Sequence, residues 1–292
     1  YWTGNQGKAE RGLEISTLAI VDVGYKTAYH VSTQQTPPHC AANETRVDEY
    51  VRHFKEDCWA LPKQVRYVVT DAYYTKTLIT EAILEQGLHQ IGKLRHDANL
   101  RYLYQGPQKA KGRPRQYDGK FKLGETARLS FVAHQEGVDI YTAVVNCVHL
   151  KQAIRLVYVE KKLAQGTKRA LLFSTDTSLD ALSLYRYYQA RFQIEFLFRD
   201  AKQFTGLGDC QARSEQALYN HFNASFTALN LLKWQDRQMS PQRTPISIAS
   251  WKRRCFNVLF MERIFSNSAF DLSFIKSTPA YHDLCNFGEI KY

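Results

Sequence analysis

Residues 188–202 form the stretch that most constrains what this chain can fold into. They contain no Pro or Gly, and their apolar residues are dense enough to predict a buried helix. Four polar residues interrupt the apolar pattern at intervals of three, four and seven: Tyr188, Arg191, Glu195 and Lys202. On a helix that advances about 100° per residue, these four lie within an arc of roughly 60°. The pattern indicates either an internal ion-pair ladder or the wall of a cleft that faces an anion.

The spacing Tyr-x2-Arg-x3-Glu-x6-Lys resembles the signature motif of the IS4 group of DDE transposases. Segments 172–176, 198–206 and 247–254 resemble the same family, so the resemblance covers nearly the whole chain. It implies that Glu195 is the third metal-binding carboxylate. It also implies that the other three residues of the motif hold the transposon DNA.

The charge balance favours a polyanionic partner. Lys and Arg total 39 against 28 Asp and Glu, which gives a formal net charge of +11. This excess alone does not distinguish DNA from RNA or an acidic protein. No run of 18 apolar residues is present, so the sequence predicts no membrane span. Six scattered cysteines predict free thiols in a reducing compartment; metal ligation by residues 39–40 or 147–149 is the weaker alternative.

A second candidate carboxylate lies between a predicted strand and a predicted helix. Residues 65–70 predict a short strand and residues 75–86 a helix, and Asp71 lies between them. This is where α/β folds place residues that handle ligands, although Asp also occurs there simply as a helix-entry residue. The family resemblance implies the second catalytic Asp at such a position. The next strand, residues 89–95, places Lys93 and Arg95 on one face.

The position of the first catalytic Asp is an open question. Residues 13–21 and 26–33 predict an antiparallel hairpin, and a helix over residues 43–57 follows. A ribonuclease H-like core has its first Asp on the first strand, with two antiparallel strands before the first helix. Only one strand follows Asp22, so we expect the hairpin to form strands two and three. The first Asp is then expected upstream of Tyr1, with Asp22, otherwise a turn residue, as the alternative.

A basic loop is a candidate DNA contact. Residues 105–122 are rich in Gly, Pro, Lys and Arg and include Lys111, Arg113 and Arg115 around a Gly-Arg-Pro core. Such cores resemble short arms that lie in narrow minor grooves, where concentrated negative potential attracts Arg. A solvated basic loop is the alternative interpretation. Several strands are predicted between this loop and residue 174.

The expected fold class is α/β, with a ribonuclease H-like core interrupted by a β-rich insertion and followed by a C-terminal helical part. The predicted division places the first part of the core, without its first strand, in 1–95 and the insertion in 96–177. The second part of the core, with the Glu195 helix, falls in 178–240 and the helical region in 241–292. Helices are predicted over residues 214–237 and 247–266.

The resemblance implies a cytoplasmic, nucleoid-associated, prokaryotic transposase. It implies two Mg²⁺ or Mn²⁺ ions in the complete enzyme, held in part by Asp71 and Glu195, whose carboxylates we expect within about 10 Å of each other. The implied partner is double-stranded DNA, namely terminal inverted repeats and target DNA, bound by a homodimer. Two alternatives remain: an inactive remnant that only binds DNA, and a ribonuclease H-like repair or RNA nuclease.

Overall fold

The computed structural model describes residues 2–3, 8–9, 12–37, 44–239, 247–266 and 272–289. Its strands are β1 Trp2–Thr3, β2 Lys8–Ala9, β3 Glu14–Asp22, β4 Thr27–Thr36, β5 Tyr67–Val69, β6 His89–Leu94, β7 Leu100–Leu103, β8 Tyr117–Lys120, β9 Ser130–Gln135, β10 Val138–Cys147, β11 Gln152–Leu163 and β12 Gly166–Ser174. Its α-helices are α1 Arg46–Asp57, α2 Thr77–Glu85, α3 Ala181–Ala190, α4 Gln193–Phe204, α5 Glu215–Met239, α6 Ile248–Ser266, α7 Leu272–Lys276 and α8 Pro279–Cys285. Short 3₁₀ turns span Cys58–Ala60 and Ala72–Tyr74.

Eight strands form one mixed sheet in the order β5-β6-β12-β11-β10-β7-β8, with β9 also paired to β10. Strands β5 and β6 are parallel, and the remaining pairs are antiparallel. The strands of the predicted insertion therefore continue the sheet that β5 and β6 begin. The expected α/β class is confirmed by this sheet and its helices.

Both faces of the sheet carry a buried apolar cluster, and alternate residues of the long central strand β11 contribute to each of them. On β11, Leu156 and Tyr158 belong to one apolar cluster and Val157 and Val159 to the other. Helix α3 packs on the second face, where Leu184 is fully buried. We refer to this second face as the α3 face.

One glycine permits close packing on the first face. A Cβ atom at Gly92 of β6 would lie 2.7 Å from the ring of Phe173 on β12 and 3.2 Å from the hydroxyl of Thr70. Because Phe173 is fully buried, its ring has little room to move aside. Gly92 therefore lets that ring lie directly against β6.

The predicted hairpin is confirmed as β3 and β4, which form a separate two-stranded sheet. The predicted helix is α1, which begins after its cap Thr45 and packs on β3 and α2. The imidazole of His53 on α1 lies between the hydroxyls of Ser16 on β3, at 2.7 Å, and Ser32 on β4, at 2.9 Å. These contacts fix the helix on the hairpin.

The chain divides into two compact units. The sheet unit comprises Tyr1–Val23 and Val31–Ile194, and the helical unit comprises Gly24–His30 and Glu195–Tyr292. The four-part division expected from the sequence stays a prediction. None of the helices in the described part of the chain has the length and apolar character needed to cross a bilayer.

Within the helical unit, the segment Gly24–His30 packs on α5. The side-chain amide of Asn230 accepts a hydrogen bond from the backbone N–H of His30 at 2.9 Å and donates one to its carbonyl at 2.7 Å. The ammonium of Lys233 donates to the carbonyl of Ala28 at 2.7 Å. Polar side chains of α5 thus satisfy backbone groups of this segment.

Candidate active site and DNA interface

Asp71 lies at the carboxyl end of β5, as predicted. The backbone N–H of Thr70 still donates to the carbonyl of Ile91 on β6, at 2.9 Å, so Asp71 follows the last pairing residue. One carboxylate oxygen of Asp71 accepts from the N–H of Tyr73 at 2.8 Å and caps the short 3₁₀ turn. The side chain is half-buried. Asp71 therefore has a local capping role in addition to the role that the sequence predicts.

Tyr188 of the sequence motif lies close enough to interact electrostatically with both Asp71 and Arg191. Burial raises the pKa of the Tyr188 hydroxyl, and the negative charge of Asp71 raises it further, whereas the Arg191 guanidinium acts in the opposite direction. That guanidinium lies 6.0 Å from the centre of the Tyr188 ring. The fold thus brings three predicted site residues from distant parts of the sequence into one region of the sheet unit.

Lys93 belongs to the same region. On β6 it pairs with Leu172 of β12, which belongs to the cluster on the α3 face, so the side chains of both residues lie on that face. Val69 pairs with Ile91 in parallel register, and Asp71 and Lys93 each lie two residues further along their chains. Arg95, by contrast, is 82% exposed and donates to Asp97 at 3.1 Å.

The prediction of one continuous helix over residues 188–202 is wrong. Helix α3 ends at Ala190 and α4 begins at Gln193. Between them, the N–H of Arg191 donates to the carbonyl of Tyr188 at 3.2 Å, and that of Ile194 donates to the carbonyl of Arg191 at 3.1 Å. These hydrogen bonds join residues three apart, as in a 3₁₀-helix, and wind the chain more tightly than the bonds between residues four apart in an α-helix. One helical wheel therefore does not describe all four motif residues.

Glu195 and Lys202 share α4, where their seven-residue spacing keeps them on one face, and both are exposed. Glu195 lies in the first turn, where the helix dipole favours a carboxylate. Asp71 belongs to the sheet unit and Glu195 begins the helical unit. The expected separation of their carboxylates stays a prediction. Among the residues that the structure describes, no group of three His, Cys, Asp or Glu side chains is arranged to hold a metal ion.

In the basic loop, Arg115 makes internal contacts, and its predicted DNA contact stays a prediction. Its guanidinium donates to the carbonyl of Tyr117 at 3.1 Å and to Asp118 at 2.6 Å, and it stacks 4.5 Å from the ring centre of Tyr104. The backbone of Arg115 also makes two hydrogen bonds of 2.8 Å with the side chain of Gln108. These contacts close the loop. Lys111 and Arg113 lie within it and are exposed.

The sequence did not reveal an open groove on the α3 face. The groove has a volume of about 290 Å³ and is lined by Val159, Ala170, Leu172, Tyr185, Tyr188, Gln189, Arg191 and Phe192. Phe192 was predicted to be buried, but it is 47% exposed because it lies at the break between α3 and α4. The one sequence feature that could have indicated this groove is the aromatic residue Phe192 directly after Arg191 of the motif.

The free-thiol prediction agrees with the structure, in which Cys58, Cys147, Cys210, Cys255 and Cys285 are all free. Residues 39–40, the alternative metal ligands, lie outside the described part of the chain.

Comparison with known proteins identifies the class. Residues 1–231 match the family model for the transposase DDE domain, and the chain belongs to this family. Among solved structures, it is similar to a piggyBac transposase in a synaptic complex with hairpin DNA, with 16% sequence identity and a TM-score of 0.44. That match covers 100% of this chain and 54% of the other, so this chain spans about half the length of the piggyBac chain. No curated protein matches the chain.

Proposed function

We propose that this chain is a DNA transposase of the IS4 group, which cuts and joins DNA strands at the ends of a transposon. The observation that carries the proposal is the position of Asp71 at the end of β5, within electrostatic reach of Tyr188, which also interacts with Arg191. Membership of the transposase DDE family supports it. Tyr188 and Arg191 therefore lie in the same region as a carboxylate from a distant part of the chain. A purely structural ion-pair ladder within one helix would not need such a carboxylate.

Asp71 and Glu195 are the proposed metal ligands. DDE transposases generally use divalent metal ions, and carboxylate oxygens suit Mg²⁺ or Mn²⁺. When bound, a pair of such ions stabilises the attacking and leaving oxygens of an in-line displacement at phosphorus. The donor chemistry of the two residues fits this requirement, and a third carboxylate completes the proposed set.

The third carboxylate has two proposed sources. Strand β5 has β6 as its partner, and no other described strand pairs with its outer edge. We propose that a strand outside the described residues pairs there and carries the first Asp. Asp22, the last residue of β3, is the alternative.

Tyr188, Arg191, Lys93 and Lys202 are proposed to hold DNA. The Tyr188 hydroxyl, whose pKa burial raises still further above neutral pH, can donate a hydrogen bond to a phosphate. The planar guanidinium of Arg191 suits a phosphate in the same way. Lys111 and Arg113 in the basic loop, together with the exposed Arg95, add backbone contacts. The proposed partners are terminal inverted repeats and target DNA, bound by a homodimer in the prokaryotic cytoplasm.

A cleavage assay on the complete reading frame tests the proposal. The substrate is duplex DNA from the genomic sequence flanking that frame, with Mg²⁺ or Mn²⁺ added. We expect Asp71→Asn and Glu195→Gln to abolish cleavage while DNA binding persists, because removing a carboxylate charge does not increase repulsion of phosphate. Glu81→Gln, at an exposed position of α2, is the matched control and should cleave normally. Normal cleavage by the Glu195 variant would reject that residue as a ligand.

The alternative function is an inactive remnant that binds DNA without cutting it. This alternative applies to the 292-residue chain by itself, in which the position of the first catalytic Asp is open. We expect this chain to bind duplex DNA in a salt-dependent manner and to leave it uncut. Strong metal-dependent cleavage by the chain alone would contradict this expectation and identify Asp22 as the third ligand.

A further inference from the structure

The end of the β11–β12 hairpin carries two lysines directly opposite each other. Lys161 on β11 pairs with Lys168 on β12, and all residues from 161 to 168 are exposed. Directly opposed residues of an antiparallel pair have their side chains on the same face, about 5 Å apart at Cβ, where like charges repel. The two adjacent positive charges therefore lower the stability of the hairpin.

The opposite face of the same hairpin is neutralised by carboxylates. Arg169 donates to Glu160 at 2.9 Å, and Lys162 lies 3.8 Å from Asp139 on β10. In the described part of the chain, no ion pair of this kind involves Lys161 or Lys168. The hairpin therefore compensates its basic residues on one face and leaves the Lys161–Lys168 pair for another anion.

The Lys161–Lys168 pair continues the groove on the α3 face. Val159 precedes Lys161 by two residues on β11, and Ala170 follows Lys168 by two residues on β12. Both Val159 and Ala170 line the groove. A two-residue step keeps side chains on the same face. On β12, Lys168 is four residues from Leu172, the partner of Lys93, which corresponds to roughly 13 Å along the strand. Lys93, Lys168 and Lys161 thus form a row of positive charge that begins near Asp71 and ends at the tip of the β11–β12 hairpin.

The carboxylate of Asp71 acts on Tyr188 at one end of the groove, and Glu136 is a further acidic neighbour. Gln189 donates to Glu136 at 3.4 Å, and this carboxylate contributes to the raised pKa of Tyr185, after burial. The basic residues on this face are Arg191 on the groove wall, Lys93, and the two lysines beyond the groove, four cations against the two carboxylates. The balance on this face is therefore positive.

We propose that the Lys161–Lys168 pair binds backbone phosphates of duplex DNA that extends away from Asp71 across the groove. The inference rests on the proposed function and adds a contact surface to it. Phosphates between the lysines remove their mutual repulsion, so an unfavourable feature of the free protein becomes favourable in the complex. A distance of roughly 13 Å spans about four phosphates at 3.4 Å per nucleotide along one strand.

Salt-dependent binding of a fluorescently labelled duplex of mixed sequence tests the proposal on the 292-residue chain. Each phosphate neutralised contributes about 0.9 to the slope of log affinity against log salt concentration. The double variant Lys161→Gln/Lys168→Gln should therefore lower the slope by about 1.8. Lys162→Gln is the matched control, because it removes one charge from the opposite face of the same hairpin. It should lower the slope by much less than a single phosphate contact.

Thermal unfolding without DNA separates binding from a structural role. Because the double variant removes a like-charge contact, its melting temperature should equal or exceed that of the parent. A lower melting temperature, or an unchanged slope with normal binding by the parent, would overturn the inference and leave the proposed function standing. An equal effect of Lys162→Gln would also overturn it. A parent chain that does not bind duplex DNA would overturn both, as would a preference for polyglutamate over DNA.

Discussion

The two compact units treat buried polar groups differently. Among the residues described in the sheet unit, the buried polar ones are Thr33, Thr36, His53, Thr80, Gln90, Ser174 and Thr175. The helical unit instead buries ionisable groups on α4, α5 and α6: Asp200, Lys233, Asp236 and Arg254. The acids and bases of the sheet unit are thus nearer the surface, where DNA can use them. Charge changes should therefore alter binding in the sheet unit and stability in the helical unit.

The largest effect is expected at the buried ion pair between α5 and α6. The guanidinium of Arg254 lies 2.7 Å from the carboxylate of Asp236. Arg254→Met should reduce the free energy of unfolding by about 3–5 kcal/mol, because it leaves a buried carboxylate without its cation. Chemical denaturation measures this loss.

The double variant Asp236→Leu/Arg254→Met is the matched control for this pair. Because it removes both charges, it should regain most of the lost stability. A double variant as unstable as the single one would show that packing, rather than the uncompensated charge, determines the loss.

The next effect concerns the pH dependence caused by Lys233. Burial lowers its pKa from 10.5 to about 8, against the opposing charge of Asp200, and its ammonium lies 5.9 Å from the ring centre of Tyr29. Between these two pKa values the unfolded chain binds more protons than the folded chain, so stability rises with pH in this window. The rise due to Lys233 should reach about 3 kcal/mol between pH 8 and 10.5.

The Lys233→Met variant isolates this contribution, because the other titrating groups are the same in both proteins. The difference in unfolding free energy between parent and variant should change across the window and stay constant below it. A constant difference from pH 7 to 10.5 would contradict a lowered pKa for Lys233.

The fold was predictable wherever the pattern was local. The hairpin β3–β4, strand β6 and helices α5 and α6 follow alternation, helical spacing and caps that a single sequence displays. The break between α3 and α4 was not predictable, because it depends on a change in hydrogen bonding without Gly or Pro. Its consequence is the exposure of Phe192, which the apolar pattern had placed in the core.

The candidate site was predictable only in part. A strand end indicated Asp71, and the motif spacing indicated Tyr188 and Arg191. The internal role of Arg115 depends on Tyr104, Tyr117 and Asp118, whose positions follow from the pairing of β7 with β8. The Lys161–Lys168 pair likewise depends on strand register, which the sequence left undetermined.

A smaller effect is expected at His53, the one ionisable side chain among the buried polar residues that the structure describes in the sheet unit. Burial lowers its pKa, although Asp57 and Glu56 oppose the shift. The unfolded chain therefore takes up a proton at higher pH than the folded one, and stability falls as the pH drops below 6.5. The free energy of unfolding should decrease from pH 7.5 to 5 more in the parent than in His53→Gln. Parallel curves would show that the pKa of His53 is the same in the folded and unfolded chains, which would weaken the contrast between the units.

The smallest stability effects are expected in the basic loop, where two arginines have different surroundings. Arg113→Gln should change the free energy of unfolding by less than about 0.5 kcal/mol, because the side chain is exposed. It should lower the salt slope of duplex binding by about 0.9 if it contacts one phosphate. Arg115→Gln should lower the slope less, because its guanidinium is bound to Tyr117 and Asp118. A larger slope change for Arg115 than for Arg113 would show that DNA displaces those internal contacts, and that the surface charges of the sheet unit rearrange on binding.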